Sequence, residues 1–565
     1  MKNKSMFFMV IVIIVTSLCL NYATEVKAGE SLLGDKVNLT GFIESQTALR
    51  LENGVNDDYQ LSRMRNTLQV EGAVDITDWL KFNTIARGYF DAVYELDHTI
   101  NDSPKHRAKV PEGRHNESLY GDRNMEQEID LREYYFRAFF KNSTLKIGRQ
   151  QIVWGEADLF RMSDIINPLD VSAGGSFVQD LENVRVPLRA IDVVHEIPGQ
   201  HGFKLELVAI PEDFRPNVAS APGGNWDPFY ATTPDVNATI YVPTGAVPIG
   251  FAGPPVNLNW NRQNIADALI DAMERDLNKF QDDKKFQGGA RLRARFGDWD
   301  GSLFYYYSRA QDAVMTLDKT GEAQIDGAFA QLNTFGNAIP LEMLANGIAN
   351  TGPSFIGSAL HFHWPKVQNV GMTFNVPEPL TDAIIRFESA YTIDQPFTVN
   401  SPNGNIQYLQ SVLDPSGLLI FPDTKYTEKD VFAYMIGFDR PTFISALNRD
   451  KTFFISGQLY QKFIINAADG MKTGLGREGY SKQQTMVTLL INTEYFDGRI
   501  TPELLGAYDF SAKAGLTRAT LTYSPTYRAS IVLGGIWLYA RENTASMVGP
   551  FQRDDEIFLH LKYTF

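Results

Sequence analysis

Three arginines stand at alternate positions between Ala290 and Phe296, and this spacing carries chemical meaning. In an extended strand, successive side chains point to opposite faces. The guanidinium groups of Arg291, Arg293 and Arg295 therefore share one face, and apolar side chains share the other. An Arg that faces lipid costs about 2–4 kcal/mol at the middle of a bilayer, whereas Arg in water binds carboxylate or phosphate with two parallel hydrogen bonds. The segment predicts a strand that separates lipid from a water-filled lumen.

The same alternation of charged and apolar residues recurs in three other segments. The further lumen candidates are Arg63, Arg65, Arg137, Arg386 and Glu388. Two interpretations remain open, because such residues form either a binding ladder for anionic groups or ion pairs that brace a wide wall. Arg63 with Glu71, and Arg386 with Glu388, are spaced to form braces. The triplet Arg291–Arg295 has no acidic residue on its own strand face, which favours the ladder.

The densest group of charged residues lies in Gly148–Asp170, which also contains a Trp and an Asn-Pro turn. So many charges beside large apolar residues are unusual for a solvated loop. We interpret the segment as one that leaves a strand at Trp154-Gly155 and folds inward to pair with charges of the wall. The residues of interest in it are Arg149, Trp154, Glu156, Asp164, Asn167 and Asp170.

The pattern G-R-Q-x-x-x-W-G-E followed by D-x-x-N-P-x-D resembles that of a family of Gram-negative outer-membrane barrels catalogued as a domain of unknown function. The resemblance covers most of the chain after its N-terminal segment. It implies no catalytic residues. It implies transport of lipidic or hydrophobic compounds, beside inner-membrane exporters of the resistance-nodulation-division type. More distantly, the G-R-Q element and the strand count resemble alginate-export porins, whose lumen is rich in Arg.

Candidate strands recur along the chain, and their number predicts an all-β fold, a closed antiparallel transmembrane barrel. Eighteen segments alternate in the required way, and sixteen is the alternative if the first strand or the closely spaced pair within 503–524 is miscounted. With eighteen strands, all long connections fall after odd strands and short turns fall after even ones, as in bacterial barrels. The predicted strands are 37–51, 59–75, 80–95, 128–140, 143–153, 185–197, 202–214, 286–297, 301–311, 366–376, 383–395, 430–440, 452–464, 483–496, 503–511, 516–524, 527–540 and 556–565.

Both ends of the chain resemble targeting signals. Residues 1–28 combine Lys2 and Lys4, a short apolar run and small residues before a cleavage after Ala28, which predicts a signal peptide for Sec export. The last strand alternates up to Phe565, as in the signal read by the barrel-insertion machinery. We therefore expect residues 29–565 to form one barrel in the outer membrane of a Gram-negative bacterium, with outer-membrane lipid, that machinery and an inner-membrane exporter as partners.

The five longest connections between the predicted strands are 96–127, 154–184, 215–285, 312–365 and 396–429, and two of them, 215–285 and 312–365, are too long to be bare connections. All five are predicted to be external. Within the third, residues Asn261–Gln281 carry one apolar stripe at helical spacing. Long loops of this kind act as lids or plugs, or they merely cap the surface; the sequence leaves both possibilities open.

The composition excludes several classes of protein. The 565 residues carry a net charge of −15, which argues against nucleic acid as a partner, and the single cysteine excludes a disulfide framework. Gly474–Gly479 matches a dinucleotide-binding motif but lies in a loop without the required strand and helix. His361 and His363 have no evident third metal ligand. We predict no enzyme, no metal and no cofactor.

Three functions therefore remain. The first is a porin-like channel for anionic or amphipathic and hydrophobic solutes, which requires an open, Arg-lined path. The second is a conduit for lipid or hydrophobic compounds that works with the exporter, which requires a lateral gap or an apolar groove. The third is a plugged surface-binding or structural barrel, which requires residues 154–184 and 261–281 to fill the lumen.

Overall fold

Eighteen strands form the barrel in the computed structural model. The model describes residues 36–51, 60–96, 126–155, 161–172, 174–199, 202–212, 214–218, 236–240, 256–260, 271–277, 279, 286–323, 326, 358–404, 407, 422–468, 471–472, 482–540, 548, 551 and 554–565. The barrel strands are β1 Val37–Arg50, β2 Gln60–Thr77, β3 Leu80–Asp91, β4 Gln127–Phe140, β5 Ser143–Gln150, β6 Leu188–Glu196, β7 Lys204–Ile210, β8 Gln287–Phe296, β9 Trp299–Arg309, β10 Lys366–Glu378, β11 Ala383–Val399, β12 Thr427–Thr442, β13 Phe453–Ile464, β14 Gln483–Asn492, β15 Ile500–Asp509, β16 Ala514–Thr526, β17 Ala529–Ala540 and β18 Glu556–Thr564.

Each strand pairs antiparallel with the next one along the chain, and β18 pairs antiparallel with β1. At this closing pair, the backbone of Phe565 exchanges two hydrogen bonds with Gly41, at 2.9 and 3.0 Å. The sheet is therefore a closed ring with no free edge, which is the arrangement that a hydrocarbon environment requires of strands.

The two faces of each strand differ in chemistry. On β18, the side chains of Ile557, Leu559 and Leu561 are exposed on the outside, while Glu556 is buried and His560 faces the lumen. Leu303 on β9 and Leu533 on β17 are likewise exposed on the outer face. This outward apolar band and polar interior identify a transmembrane barrel of the outer-membrane type.

The predicted fold is confirmed, with eighteen strands rather than sixteen. The closely spaced pair that was hardest to count forms β15 and β16. The strands β5–β7 are all shorter at their loop ends than predicted. The reason is that the chain leaves the sheet after Gln150, and the Ile152 N–H then bonds the Asn167 side chain at 2.8 Å instead of a neighbouring strand.

Smaller elements lie at the loop ends of the strands. Three single helical turns are Val93–Leu96, Gly175–Val178 and Leu181–Val184. Short strands pair as Val236–Ile240 with Val256–Trp260, as Val314–Leu317 with Leu360–His363, and as Met471–Lys472 with the end of β11. Residues 271–277, within the predicted helix 261–281, are helical.

The predicted signal peptide 1–28 and Glu156 lie outside the described residues. The loops that were predicted as 96–127, 312–365 and 396–429 keep their places, but β4 begins at 127, β9 ends at 309 and β11 extends to 399. In the part of the chain that the structure describes, no helix is both long and apolar enough to cross a bilayer.

Candidate functional site

Residues 151–155, 161–172 and 174–187, here called the inward segment, lie inside the barrel and contact both sides of its wall. Near their start, Ile152, Trp154, Met162 and Ile166 pack against buried side chains of the wall. Those wall residues belong to β6, β7, β9 and β11–β14, whose lumen faces are here called the packed side. The lumen-facing residues in this contact are Leu188, Ala190, Val208, Ile210, Phe304, Tyr306, Ala390, Ala433, Met435, Tyr460 and Met486.

Trp154 is the centre of a buried polar network on the packed side. Its Nε1–H donates to Glu206 Oε1 at 2.9 Å, and the other oxygen of this carboxylate accepts from Arg291 Nη2 at 2.6 Å and Nε at 3.0 Å. Arg291 also donates to the Trp154 carbonyl at 3.1 Å and lies 5.4 Å from the centre of the indole ring. The three side chains are less than a tenth exposed. Arg291 is thus used to hold the inward segment.

The other end of the inward segment reaches the opposite wall. Phe177 and Val178 pack into a cluster of buried apolar side chains from β1 and β15–β18, among them Ile536 and Phe558. Because one end is anchored on β6–β14 and the other on β15–β1, the connection predicted as 154–184 narrows the barrel from inside. The prediction that this part of the chain folds inward agrees with these contacts.

The G-R-Q element explains how the chain leaves the wall. Gly148 has a φ of 140°, and a Cβ there would lie 2.2 Å from the Tyr134 carbonyl oxygen, so the position requires glycine. Arg149 is buried and donates to Asp130 Oδ1 at 2.8 Å and to the Leu131 carbonyl at 2.9 Å. The end of β5 is therefore tied to β4 at the point where the inward segment begins.

The rest of the motif holds the inward segment in shape. Asn167 is fully buried; its amide accepts from the Ile152 N–H and donates to the Val186 carbonyl, each at 2.8 Å. Asp164 accepts from Arg185 Nε at 2.7 Å and forms an ion pair with Arg161 at 3.4 Å. Asp170 accepts from the backbone N–H of Ser172 at 3.0 Å. Through these contacts, the described residues of the motif fix the shape and position of the inward segment.

Between the inward segment and β1–β5 lies a polar cleft with about 1020 Å³ of space, open to solvent. Charged side chains of both signs line it, including Arg65, Arg87 and Arg132 on β2–β4 and Asp170 on the inward segment. Its other charged lining residues are Glu44, Glu128, Asp130, Arg149 and Arg215. The polar cleft is thus lined mainly by charged and polar side chains, whereas the packed side is lined mainly by apolar ones.

Most of the predicted lumen arginines form ion pairs with the wall, but with other partners than the sequence suggested. Arg63 pairs with Glu556 at 2.9 Å, not with Glu71. Arg386 pairs with Asp439 at 2.8 Å, not with Glu388, which accepts from the Ser163 N–H at 3.3 Å. Arg65 forms an ion pair with Asp91 at 3.3 Å, and Arg137 donates to the Tyr135 hydroxyl at 3.4 Å.

The Arg291–Arg295 triplet does not form a single ladder. No acidic residue stands beside Arg291 on its own strand face, but Glu206 lies directly opposite it on the neighbouring strand β7. Arg295 is largely exposed beside the β8–β9 turn, 3.8 Å from Asp300. Arg293 lies between them, opposite Lys204. The three side chains share a face as predicted, but they lie in three different environments.

Sequence reasoning missed Glu206, Arg87 and Arg132. A signal existed for Arg87. It shares one face of β3 with Asn83 and Tyr89, while Phe82 and Ala86 lie on the other face. Glu206 alternates with Leu205 and Leu207 in the same way. Arg132 carried no such signal, because the ladder between β3 and β4 shifts register there and its face cannot be counted from Arg137.

A second group of titratable residues lies in the helical residues 271–277 and the paired short strands Val314–Leu317 and Leu360–His363, here together called the outer layer. Asp276 accepts from Arg275 Nη2 at 2.8 Å and from the Phe362 N–H at 3.0 Å, and His361 lies 3.3 Å away. Burial alone would raise the pKa of the Asp276 carboxyl, but these hydrogen bonds and the Arg275 charge bring it below its ordinary value. Burial lowers the pKa of His363, whose Nε2 contacts the Thr316 hydroxyl at 2.8 Å. Among the described residues, no three His, Cys, Asp or Glu side chains could share a metal ion.

Comparison with known families identifies the chain. The family model described as "Protein of unknown function (DUF1302)" matches residues 33–565. The chain belongs to the DUF1302 family. The family expected from the sequence is therefore confirmed. No curated protein sequence matches this DUF1302 chain.

Solved structures similar in fold to this DUF1302 barrel include the following three. Acinetobacter baumannii OccAB1 matches with a TM-score of 0.41 and 9% identity, over 95% of this chain and 98% of that one. Pseudomonas aeruginosa OccK2 (OpdF) in complex with glucuronate matches with 0.42 and 8%, over 94% and 98%. A BenF-like porin from Pseudomonas fluorescens Pf-5 matches with 0.41 and 8%, over 95% and 100%.

Proposed function

We propose that this protein is a non-enzymatic outer-membrane channel that passes small, hydrophilic, charged solutes through the polar cleft. One observation carries the proposal: the inward segment packs against the wall from β6 to β14 but leaves a charged cleft, open to solvent, along β1–β5. A barrel of 16–18 strands is wide enough to hold an aqueous channel. The inward segment narrows such a channel without filling it.

The lining of the cleft favours hydrophilic over hydrophobic solutes. Arg65, Arg87 and Arg132 face Glu44, Glu128 and Asp130 there. An apolar solute would have to displace water from these charged groups without replacing their hydrogen bonds, which is unfavourable. The apolar surfaces inside the barrel are instead covered by the inward segment itself. These observations support the channel over the hydrophobic conduit.

The contacts of the outer layer bear on the plugged-barrel alternative. Leu277, from the helical residues 271–277, packs with Phe214 and Trp364. Neither of these partners lies in a barrel strand, so the described part of the predicted plug 261–281 belongs to the outer layer. This arrangement supports a covered entrance above a narrowed lumen.

Planar-bilayer recording of refolded residues 29–565 tests the proposal. We expect a steady single-channel current, blocked by polyethylene glycols above a size limit, and a reversal potential in a salt gradient that reports the sign preference. A sample unfolded by heat before reconstitution is the control. Absence of current from natively folded barrels would overturn the proposal. Uptake of a lipophilic dye, without ion current, would support the hydrophobic conduit instead.

We also propose that the protein resides in the outer membrane and is inserted there by the barrel-insertion machinery. The last residues of β18 support delivery to the outer membrane by the barrel-insertion machinery, because their apolar face continues to Phe565, which closes the ring on Gly41. Deletion of Phe565 should reduce the amount of heat-modifiable barrel in isolated outer membranes, while a Thr564→Ala variant should not. Equal amounts of barrel in both variants would contradict this role.

A further inference from the structure

A β-bulge in β4 brings Arg132 to the lumen. Ile85 of β3 pairs with Glu133, and the next residue, Ala86, pairs with Leu131, so Arg132 is the extra residue of the ladder. Counted back from Tyr135 and Arg137, a regular strand would direct Arg132 into lipid. Bulges redirect side chains in this way and are concentrated next to functional sites.

The redirected guanidinium contacts the inward segment at a single place. Arg132 Nη2 lies 2.9, 2.8 and 2.7 Å from the carbonyl oxygens of Glu182, Asn183 and Arg185. These carbonyls end the helical turn Leu181–Val184, and the last carbonyls of a helix have no intrahelical partner. A charged donor makes a stronger hydrogen bond to them than a neutral one does.

Arg87 on the neighbouring strand makes a second contact with the same turn. Its Nη2 donates to Asn183 Oδ1 at 2.6 Å, while its Nε donates to Gln69 Oε1 at 2.7 Å, which holds the guanidinium against the wall. Both arginines line the polar cleft. The helical turn is thus held toward β3 and β4, on the side where the passage is open.

We propose that Arg132 is a positioning residue that sets the width of the passage by holding residues 181–185 toward the wall. The inference rests on the proposed channel function. The turn has independent anchors before and after it, at Phe177 and at the Asn167–Val186 contact. Loss of the Arg132 contacts therefore loosens the turn, which keeps its contacts with Arg87 and Gln151, and widens the cleft, while the packed side keeps its structure.

The test compares Arg132→Met with Arg137→Met in single-channel recordings. Both arginines lie on β4 and face the lumen, and both variants lose one positive charge, but the described contacts of Arg137 are with Tyr135. Because conductance follows the radius of the narrowest section, we expect Arg132→Met to raise it roughly twofold and to admit larger polyethylene glycols, with Arg137→Met close to wild type. Equal conductance of the two variants would overturn the inference.

A spin label separates failure of this inference from failure of the channel proposal. Glu182 is exposed and the only cysteine in the sequence is Cys19, so a label on Glu182→Cys in residues 29–565 reports this turn alone. We expect the label to become more mobile with Arg132→Met and not with Arg137→Met, whether or not the barrel conducts. An unchanged spectrum would overturn the inference. Arg132→Lys, which keeps the charge, should give intermediate mobility and also serves if Arg132→Met does not fold.

Discussion

The two sides of the lumen use arginine in opposite ways. On the packed side, Arg291 is buried in a pair with Glu206 and beneath Trp154, where it fixes the inward segment. Along the polar cleft, Arg65, Arg87 and Arg132 border solvent-filled space and stand among acidic residues. The same residue type on the same face of a strand is therefore either enclosed by the inward segment or left beside open space. Arg87 and Arg132 also bind the inward segment, at residues 182–185, but they still border the cleft.

The largest effect is expected when Trp154, which anchors the inward segment on the packed side, is removed. Trp154→Ala deletes a side chain that is 2% exposed and leaves Glu206 without its indole donor. We expect the free energy of unfolding to fall by about 3–5 kcal/mol, with a marked rise in conductance as the segment detaches. Denaturant titration of refolded barrels and bilayer recording measure both effects. The exposed Trp79→Ala serves as the control, and equal losses in the two variants would contradict the assignment.

A smaller loss is expected from breaking the buried ion pair. Arg291→Met leaves the Glu206 carboxylate buried without a cation, which should cost about 3 kcal/mol of unfolding free energy. The double variant Arg291→Met/Glu206→Gln should recover most of this loss, because the neutral amide introduced by Glu206→Gln still accepts from the Trp154 N–H. The unfolding free energies of the wild type, the two single variants and the double variant form a double-mutant cycle, which measures the coupling between the two side chains. Additive losses would show that the pair is not coupled.

Ion selectivity should depend on arginines of the polar cleft and not on arginines of the packed side. Arg65→Gln removes a positive charge from the polar cleft, so the reversal potential in a salt gradient should shift toward cations. Arg386→Gln removes the same charge beside the packed side, where Asp439 and Ser456 bind it, and should leave the reversal potential unchanged. A larger shift for Arg386→Gln would reverse the roles of the two sides.

The smallest effect is expected in the outer layer. Burial holds the pKa of His363 below its ordinary 6.5, so the unfolded state takes up a proton before the folded state does. The stability of the hairpin formed by Val314–Leu317 and Leu360–His363 is therefore complete above pH 6.5 and falls as the pH drops through and below that value. Hydrogen exchange of these residues at pH 7.5 and 5.5, corrected for intrinsic rates, measures it. His363→Gln should remove the pH dependence, and a dependence that persists would assign it elsewhere.

The barrel was predictable because each strand states its own two faces. Alternation at Ala290–Phe296 and at the end of the chain needs no knowledge of neighbouring strands, and the parity of loop lengths favours the eighteen strands that the structure shows. The partners across strands were not predictable in this way. Glu206 lies 85 residues before Arg291, and only the register of β7 against β8 places them together.

The site was predictable in part, for a related reason. The composition of Gly148–Asp170 indicated a segment that folds inward, because its charges and large apolar residues need partners that a solvated loop lacks. It did not indicate which wall the segment would cover. That outcome depends on apolar lumen residues such as Tyr306 and Met435, which are spread over several strands. Arg132 was missed because a bulge interrupts the alternation on which the reasoning relied.

The pairing of the first strand with the last sets the order of assembly. Residues Phe42–Arg50 pair with β2 on one side and with Thr564–Glu556 on the other, so the ring closes only when β18 is in place. Two buried ion pairs, Arg50 with Asp554 and Arg63 with Glu556, cross this seam and form at the same step. Until then the sheet has two open edges, and an incomplete barrel lacks the contribution of these two ion pairs to its stability.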